Sequence, residues 1–582
     1  MKYHYSDERN VLILLALLKA HGIKRIVASP GSANSALVAS MQFDHYFEMI
    51  SCVDERSAAY VACGLAAQTG EPVLITCTGA TASRNYLSGL TEAYYRKLPV
   101  LAVTSTQPVS RIGHHVAQVI DRSVLPKDTI KKSYRLPIVK DKEDQWDCEV
   151  KVNQAILELT RHGGGPAHLD LQTESKSTYS TKELPNVRKI ERLILGDAFP
   201  ELTGRKVAIF LGSHGFWTPE ELELIDRFCA SNNAIVLCDH TSSYVGKYRV
   251  PFSLIGCQKT LDKSPFRPDI LIHMGEVSGD YYTPSISSDE VWRVSPDGEI
   301  RDTFRRLTHI FELSEYAFLK SYIGTDRADS SYLDQCLKML DQLRDHIPEL
   351  PFSNIWLASR MASKFPENST VHFGILNSLR SWNFYDLADG VESACNVGGF
   401  GIDGVLSSLF GASLADPSRI YFAVLGDLAF FYDMNVLGNR HLGQNIRILL
   451  VNNGKGTEFK QYNHHTSHFE EHADEFIAAS GHYGCQSSTL VRHFAEDLGF
   501  EYMSVRNKEE FDAVSDRFLT AEKVNRPMLL EVFTDSHEES KSLEIMMNLS
   551  TGSAARGKEK IKGVAKQMLG EKGLKLAKRI IK

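Results

Sequence analysis

Short apolar runs alternate with helix-period stretches along most of the chain. From Asp7 to His21 the apolar spacing predicts one amphipathic helix, Ile23 to Ala28 a strand, and a helix-like stretch then runs to Met41. Phe47 to Val53 predicts a strand and Ser57 to Gly70 a helix of small residues, with further strands at Pro72 to Thr76 and Leu98 to Thr104. Residues 176–204 are polar and irregular and read as a linker. Beyond it, Lys206 to Leu211, Ala234 to Cys238 and Asp269 to Met274 predict strands, with a helix over Pro219 to Ser231. The last third gives strands at Ile420 to Leu425 and Ile446 to Val451 around a helix-like Asp433 to Leu442. A helix from Leu490 to Leu498 and strands at Tyr502 to Val505 and Met528 to Phe533 follow. Strands alternating with helices predict parallel α/β sheets. A length of 582 residues suggests roughly three to four domains.

Two of these strands set up a chemical edge. One ends at Gly426-Asp427 and the next at Asn452-Asn453-Gly454, so a carboxylate and an amide reach the same end of a sheet. In open parallel sheets that end holds ligands. A carboxylate, an amide oxygen and a nearby carbonyl are hard oxygen ligands, the set magnesium takes when it also holds a diphosphate. By itself the pattern reads equally as a strand-end turn with an Asx cap. Glu55, after one strand and before a helix, reads by itself as an acid at a positive helix end. Ser29-Pro30-Gly31-Ser32 and Cys77-Thr78-Gly79-Ala80-Thr81 are small-residue loops where backbone can approach a ligand.

The stretch from GDLAFFYDMN to NNGK (426–455) and the block VDERSAAYVACGLAAQTGEPVLITCTGAT (53–81) together resemble thiamin diphosphate (ThDP) enzymes. The wording is most similar to the menaquinone-pathway branch, the succinyl-enolpyruvyl-hydroxycyclohexene-carboxylate synthases. The resemblance implies an α/β chain of three doubly wound parallel-sheet domains of the pyruvate decarboxylase-like type. These would be a pyrimidine-binding domain over 1–185, a middle domain over 190–345 and a diphosphate-binding domain over 350–540, followed by a tail over 541–582. It implies thiamin diphosphate and Mg2+ as cofactors. Asp427 and Asn453 would be metal ligands through their side chains, and Lys455 through its carbonyl. The backbone of Gly426, Leu428 and Ala429 would hold the diphosphate, with Thr78 and Gly79 lining the site. In ESACNVGGFGIDG (392–404), Gly401 would let the chain run close to the cofactor and Ile402 would wedge it into its bent shape, though by itself Ile402 reads equally as an ordinary core residue. Glu55 would hydrogen-bond the aminopyrimidine and stabilise its imino tautomer, with burial raising its pKa. His114, His115 and Gln118 lie in a loop after a strand, and imidazoles there suit proton transfer near neutral pH. A surface histidine pair is otherwise usually without function. Gln118, in AQVID, resembles an active-site glutamine of the branch.

Departures from the branch matter as much. Ala33, Gln107 and Val397 stand where it has arginines that grip substrate carboxylates. Arg84, Arg111 and Arg380 are the candidates for replacement anion contacts. The expected activity is therefore a ThDP- and Mg-dependent decarboxylase or carboligase taking a less charged 2-oxo acid and passing an acyl anion to an acceptor or a proton. The alternatives are a catalytically silent ThDP-fold subunit, or the branch's own synthase with altered substrate contacts. By family the cofactor lies between the first domain of one chain and the last domain of another, which implies a homodimer or homotetramer.

Composition narrows the rest. A net charge of −7 gives no reason to invoke nucleic acid. The 10 cysteines form no Cys-x-x-Cys pair, which suits a reduced, cytoplasmic protein without zinc or disulfides. The apolar run Val11 to Leu18 is too short to span a bilayer and lacks the features of a signal peptide. Gly212-Ser213-His214-Gly215 is not a dinucleotide fingerprint, and a flavin in the middle domain stays open. The run KGTEFKQYNHHTSHFEEH (455–472) reads as a mobile lid or a metal cluster. The basic tail over 552–582 carries Ile561, Val564, Met568, Leu569, Leu576, Ile580 and Ile581 at helical spacing. It reads as a weak membrane or partner-docking helix, or as a solvated end.

Overall fold

The computed structural model describes residues 4–174, 178–286, 288–324, 330–522 and 524–550, so the basic tail lies outside the described residues. The chain divides into two compact units, residues 1–200 with 290–315, and residues 201–289 with 316–582. It builds three parallel sheets.

The first sheet belongs to the first unit. Its strands are β1 (Arg25–Ala28), β2 (Glu48–Ser51), β3 (Val73–Thr78), β4 (Val100–Thr106), β5 (Ser133–Leu136) and β6 (Ala167–Gln172), in the order β2-β1-β3-β4-β6-β5. Helices cover both faces, as an all-parallel sheet requires. Arg9–Ala20, Ser35–Gln42 and Lys142–Glu158 contribute to the core on one face, and Glu55–Thr69 and Leu87–Tyr95 to the other. The first helix departs from its amphipathic reading, because every residue from Asn10 to Leu18 is buried. Buried all round, it has no solvent face. Its one buried polar side chain, Asn10, donates to the carbonyls of Pro137 (3.0 Å) and Gln172 (2.7 Å).

The second sheet contains β7 (Glu191–Leu193), β8 (Val207–Leu211), β9 (Ala234–Cys238), β10 (Arg249–Val250), β11 (Ile270–Met274), β12 (Glu290–Val294) and β13 (Leu307–Phe311). Its order is β10-β9-β8-β11-β12-β13-β7. β7 falls inside the stretch read as a linker. It is short and only half-buried, so its apolar pattern is weak.

The third sheet belongs to the second unit: β14 (Ser369–Phe373), β15 (Glu392–Cys395), β16 (Ile420–Gly426), β17 (Ile446–Asn452), β18 (Glu501–Val505) and β19 (Met528–Phe533). Its order, β15-β14-β16-β17-β19-β18, repeats that of the first sheet. The helix after β16 starts at once, spanning Asp427–Asp433 and tightening to a 3-10 turn over Met434–Gly438. It starts six residues before its predicted place at Asp433, because Phe430 and Phe431 turn into the core from the strand end. A helix over Ser536–Met547 follows the last strand, capped by Asp535, which accepts from the backbone N–H groups of His537 and Glu538. Glu539 fastens it by accepting from the backbone N–H of Asn354 (3.0 Å).

Candidate functional site

In the second unit β16 and β17 are neighbours, with Gly426 opposite Val451. Asp427 and Asn453 therefore leave the same sheet edge. Asp427 is 6% exposed. Burial pushes its carboxyl up to about 7, against the opposing pull of the backbone N–H groups of Leu428, Asp427 and Gly454, while the nearby Glu531 adds to the rise. The Oδ1 of Asn453 is buried without a hydrogen-bond partner. A desolvated acid and an orphaned amide oxygen side by side both gain from a cation. Gly426 leaves the backbone open, since the nearest atom to a Cβ placed there is the Val451 carbonyl oxygen at 4.0 Å. Leu428 is half-buried and Ala429 is buried in the turn that follows. The Lys455 carbonyl accepts from the Thr457 N–H (2.9 Å) and keeps a second lone pair, while its ammonium is held by Asp474 (2.5 Å). These groups fit a hard divalent cation carrying a diphosphate.

The shell behind this edge was not legible beforehand. Asn452 donates to Glu531 Oε1 (2.7 Å) and accepts from the Gly454 N–H (3.2 Å), while Tyr502 donates to Glu531 Oε2 (2.7 Å). Only the Asn-Asn doublet hints at it: one amide is spent inside and one is left outward. Asp474 also reaches Lys460 (2.6 Å), which ties the histidine-rich run down. Among the described residues no group of three or more His, Cys, Asp or Glu side chains is placed to hold a metal ion, so the metal-cluster reading of that run has no support.

On the same unit, Ile402 packs half-buried against the core beside β16, and a Cβ at Gly401 would collide with Asp403. Val397 is 4% exposed, and a Cβ at Gly279 would lie 3.0 Å from it. Arg380 makes a two-pronged pair with Glu458 (3.0 and 2.9 Å) and is not a free anion contact. In the second sheet, strand order reverses between β8 and β11, the place where such sheets hold nucleotides. Here backbone bridges the gap: Ser213 donates to Val277 (3.3 Å), and Glu276 donates to Ser213 (2.8 Å).

In the first unit Glu55 opens the helix Glu55–Thr69, after the edge strand β2. Asp54 caps that helix, accepting from the Arg56 N–H (3.0 Å) and the Ser57 hydroxyl (3.0 Å). Asn85 donates to Glu55 Oε2 (3.2 Å). Glu55 is only half-buried, so the burial expected of it is not supplied by its own unit. Exposed apolar side chains flank it: Val53 at 76%, Tyr60 at 47% and Val61 at 40%.

Thr78 ends β3 and Gly79 follows it. The space a side chain would take at Gly31 is filled by Thr78 Cγ2 (2.7 Å), and that at Gly79 by the guanidinium of Arg122. Arg122 is 4% exposed and pairs with Asp170, whose other oxygen takes Arg135 Nε (3.0 Å). No sequence signal marked this buried arginine, since its acid partner lies on a distant strand. His114, His115 and Gln118 are exposed on the loop after β4. His115 (φ +54°) and Gln118 (φ +63°) sit in the left-handed region, which few non-glycine residues adopt. Gln107 accepts from Arg111, and Arg84 donates to the Asp121 carbonyl (2.9 Å).

Residues 11–125 match the family described as thiamine pyrophosphate enzyme, N-terminal TPP binding domain. Over most of its length the chain is similar to proteins named 2-succinyl-5-enolpyruvyl-6-hydroxy-3-cyclohexene-1-carboxylate synthase. That of Phocaeicola vulgatus is 32% identical over 92% of this chain and 97% of that protein. That of Bacteroides fragilis is 30% identical over 93% and 98%, and that of Desulfotalea psychrophila 27% over 92% and 98%.

Proposed function

The chain belongs to the thiamine pyrophosphate enzymes, in the branch of these synthases, and from that membership we propose that it is a Mg-dependent 2-oxo acid decarboxylase or carboligase. The observation that carries the reading is the buried Asp427 beside the unpartnered Asn453 oxygen, at a sheet edge left open by Gly426. Asp427, Asn453 and the Lys455 carbonyl would hold Mg2+, and the N–H groups after Gly426 the diphosphate. Thiamin diphosphate, when bound, supplies the carbanion centre and electron sink on which 2-oxo acid decarboxylation depends.

The chain's own residues manage protons and position. Glu55 holds a proton at the pyrimidine, oriented by Asn85. His114 and His115 exchange protons with the substrate on its way to product, and Gln118 orients it by hydrogen bonding. Ile402 and Gly401 shape the cofactor wall. Val397, packed away in the core, removes one carboxylate grip, and Gln107 holds Arg111 where another is lost, so the donor is less charged than the branch's own.

A homodimer or homotetramer is supported by the exposed Val53, Tyr60 and Val61 around a half-buried Glu55, a face suited to a second copy. A reduced, cytoplasmic setting is supported by cysteines that are all free. Among the described residues, no helix is long and apolar enough to cross a membrane. The test is incubation with thiamin diphosphate, Mg2+ and a panel of 2-oxo acids, following carbon dioxide release. Cofactor binding without turnover of any donor overturns the enzyme reading in favour of a silent subunit.

A further inference from the structure

The third-sheet edge carries an unexplained aromatic ledge. Phe400 immediately precedes Gly401 and Ile402, and has φ +56°. A bulky side chain in the left-handed region costs on the order of 1–3 kcal/mol and persists only where the surroundings enforce it. Its ring meets Tyr281 edge to face, with centroids 6.1 Å apart. Tyr281 is 46% exposed and lies over the Arg380 guanidinium, 4.9 Å from its ring centre. Beneath the ledge the charge is cancelled. Glu458 takes Arg380 by both oxygens, leaving it 10% exposed, and Val397, packed by Gly279, is buried.

We infer that Tyr281 and Phe400 are specificity-determining residues that receive an aromatic ring on the side chain of the 2-oxo acid donor. The inference rests on the proposed decarboxylase reading and names its substrate class. A second carboxylate would gain nothing from Arg380 at this wall, because its guanidinium is already paired with Glu458 and roofed by Tyr281. A flat ring gains an edge-to-face partner in Phe400 and a stacking face in Tyr281 polarised by the cation below, each contact worth about 0.5–1.5 kcal/mol beyond area burial. Carbon–carbon cleavage itself is unchanged: carbon dioxide leaves and the electron pair stays on the former carbonyl carbon until a proton or acceptor takes it.

The experiment compares phenylpyruvate, pyruvate and 2-oxoglutarate on the full chain with thiamin diphosphate and Mg2+. It measures kcat/KM by carbon dioxide release and Kd by titration calorimetry. Phenylpyruvate is expected to exceed 2-oxoglutarate by about tenfold or more in both readouts. Phe400→Gly relieves the backbone strain, so the variant folds, and should lower the phenylpyruvate-to-pyruvate ratio of kcat/KM about tenfold, mainly through KM. Tyr281→Leu should lower it too. Turnover with an unchanged ratio in both variants, or a preference for 2-oxoglutarate, overturns the ledge and leaves the decarboxylase reading standing. Phenylpyruvate binding that depends on Phe400, with no turnover of any acid, upholds the ledge and overturns the decarboxylase reading. Equal binding of all three acids overturns the ledge outright.

Discussion

The first and third sheets share one strand order, yet their third strands end differently. β3 is followed by Gly79, where the missing side chain makes room for the buried Arg122. β16 ends at Gly426, where the nearest described atom to a placed Cβ is 4.0 Å away and a buried acid follows. One glycine serves packing and the other leaves a seat. The acids differ in the same way. Asp427 has its desolvation complete within its own unit, whereas Glu55 is half-open beside exposed apolar side chains. One strand order thus carries one acid buried within its own unit and one left half-open.

The largest expected effect separates the two acids. Glu55→Gln should lower kcat by about 10^2–10^4-fold while Mg2+ and thiamin diphosphate affinity, read by calorimetry, stays within a few-fold. Retained turnover would strip Glu55 of its role. Asp427→Asn should do the reverse at the binding step, weakening cofactor affinity by at least about 100-fold, since even outer-shell changes at metal sites reach that scale. Unaltered affinity would leave the third-sheet edge without its cation.

A third test asks whether burial alone makes a site. Glu539 is as buried as Asp427, and burial likewise raises it to about 7, but its oxygens are taken by the Asn354 N–H (3.0 and 3.1 Å). A raised carboxyl stabilises the fold fully below its unfolded value near 4.5 and loses that contribution as pH rises through about 7. The swing is about 3 kcal/mol. Glu539→Gln should flatten the melting-temperature slope between about pH 5 and 8 without touching cofactor affinity. The smallest contrast is between the glycines. Gly79→Ala should destabilise by roughly 1–3 kcal/mol as Arg122 is pushed aside. Gly426→Ala should melt like the parent and weaken cofactor binding by about tenfold. Equal melting of the two variants would erase the distinction.

Strands buried on both faces were plain in the sequence because their apolar runs are unbroken: β8, β9, β11, β16 and β17 are of this kind. β15 escaped notice because it is half-buried throughout, and β14 because Ser369, Thr370 and His372 interrupt a fully buried run. Asp427 and Asn453 were readable from their place at strand ends. Arg122, Asn452, Glu531 and Glu539 were not, since each takes its meaning from a partner far away in sequence, as Arg122 does from Asp170. The strained backbone of His115, Gln118 and Phe400 has no sequence signature, because none is a glycine.

The bridged gap between β8 and β11 has a consequence for how this edge tolerates change. A side chain that blocks a crevice can rotate away or be exchanged, but here the stopper is main chain, and any methyl at Gly212 would strike the Glu276 carbonyl oxygen. No single substitution reopens such a gap; only a longer loop would. Access at this edge of the second sheet is therefore set by the path of the main chain rather than by the choice of side chain.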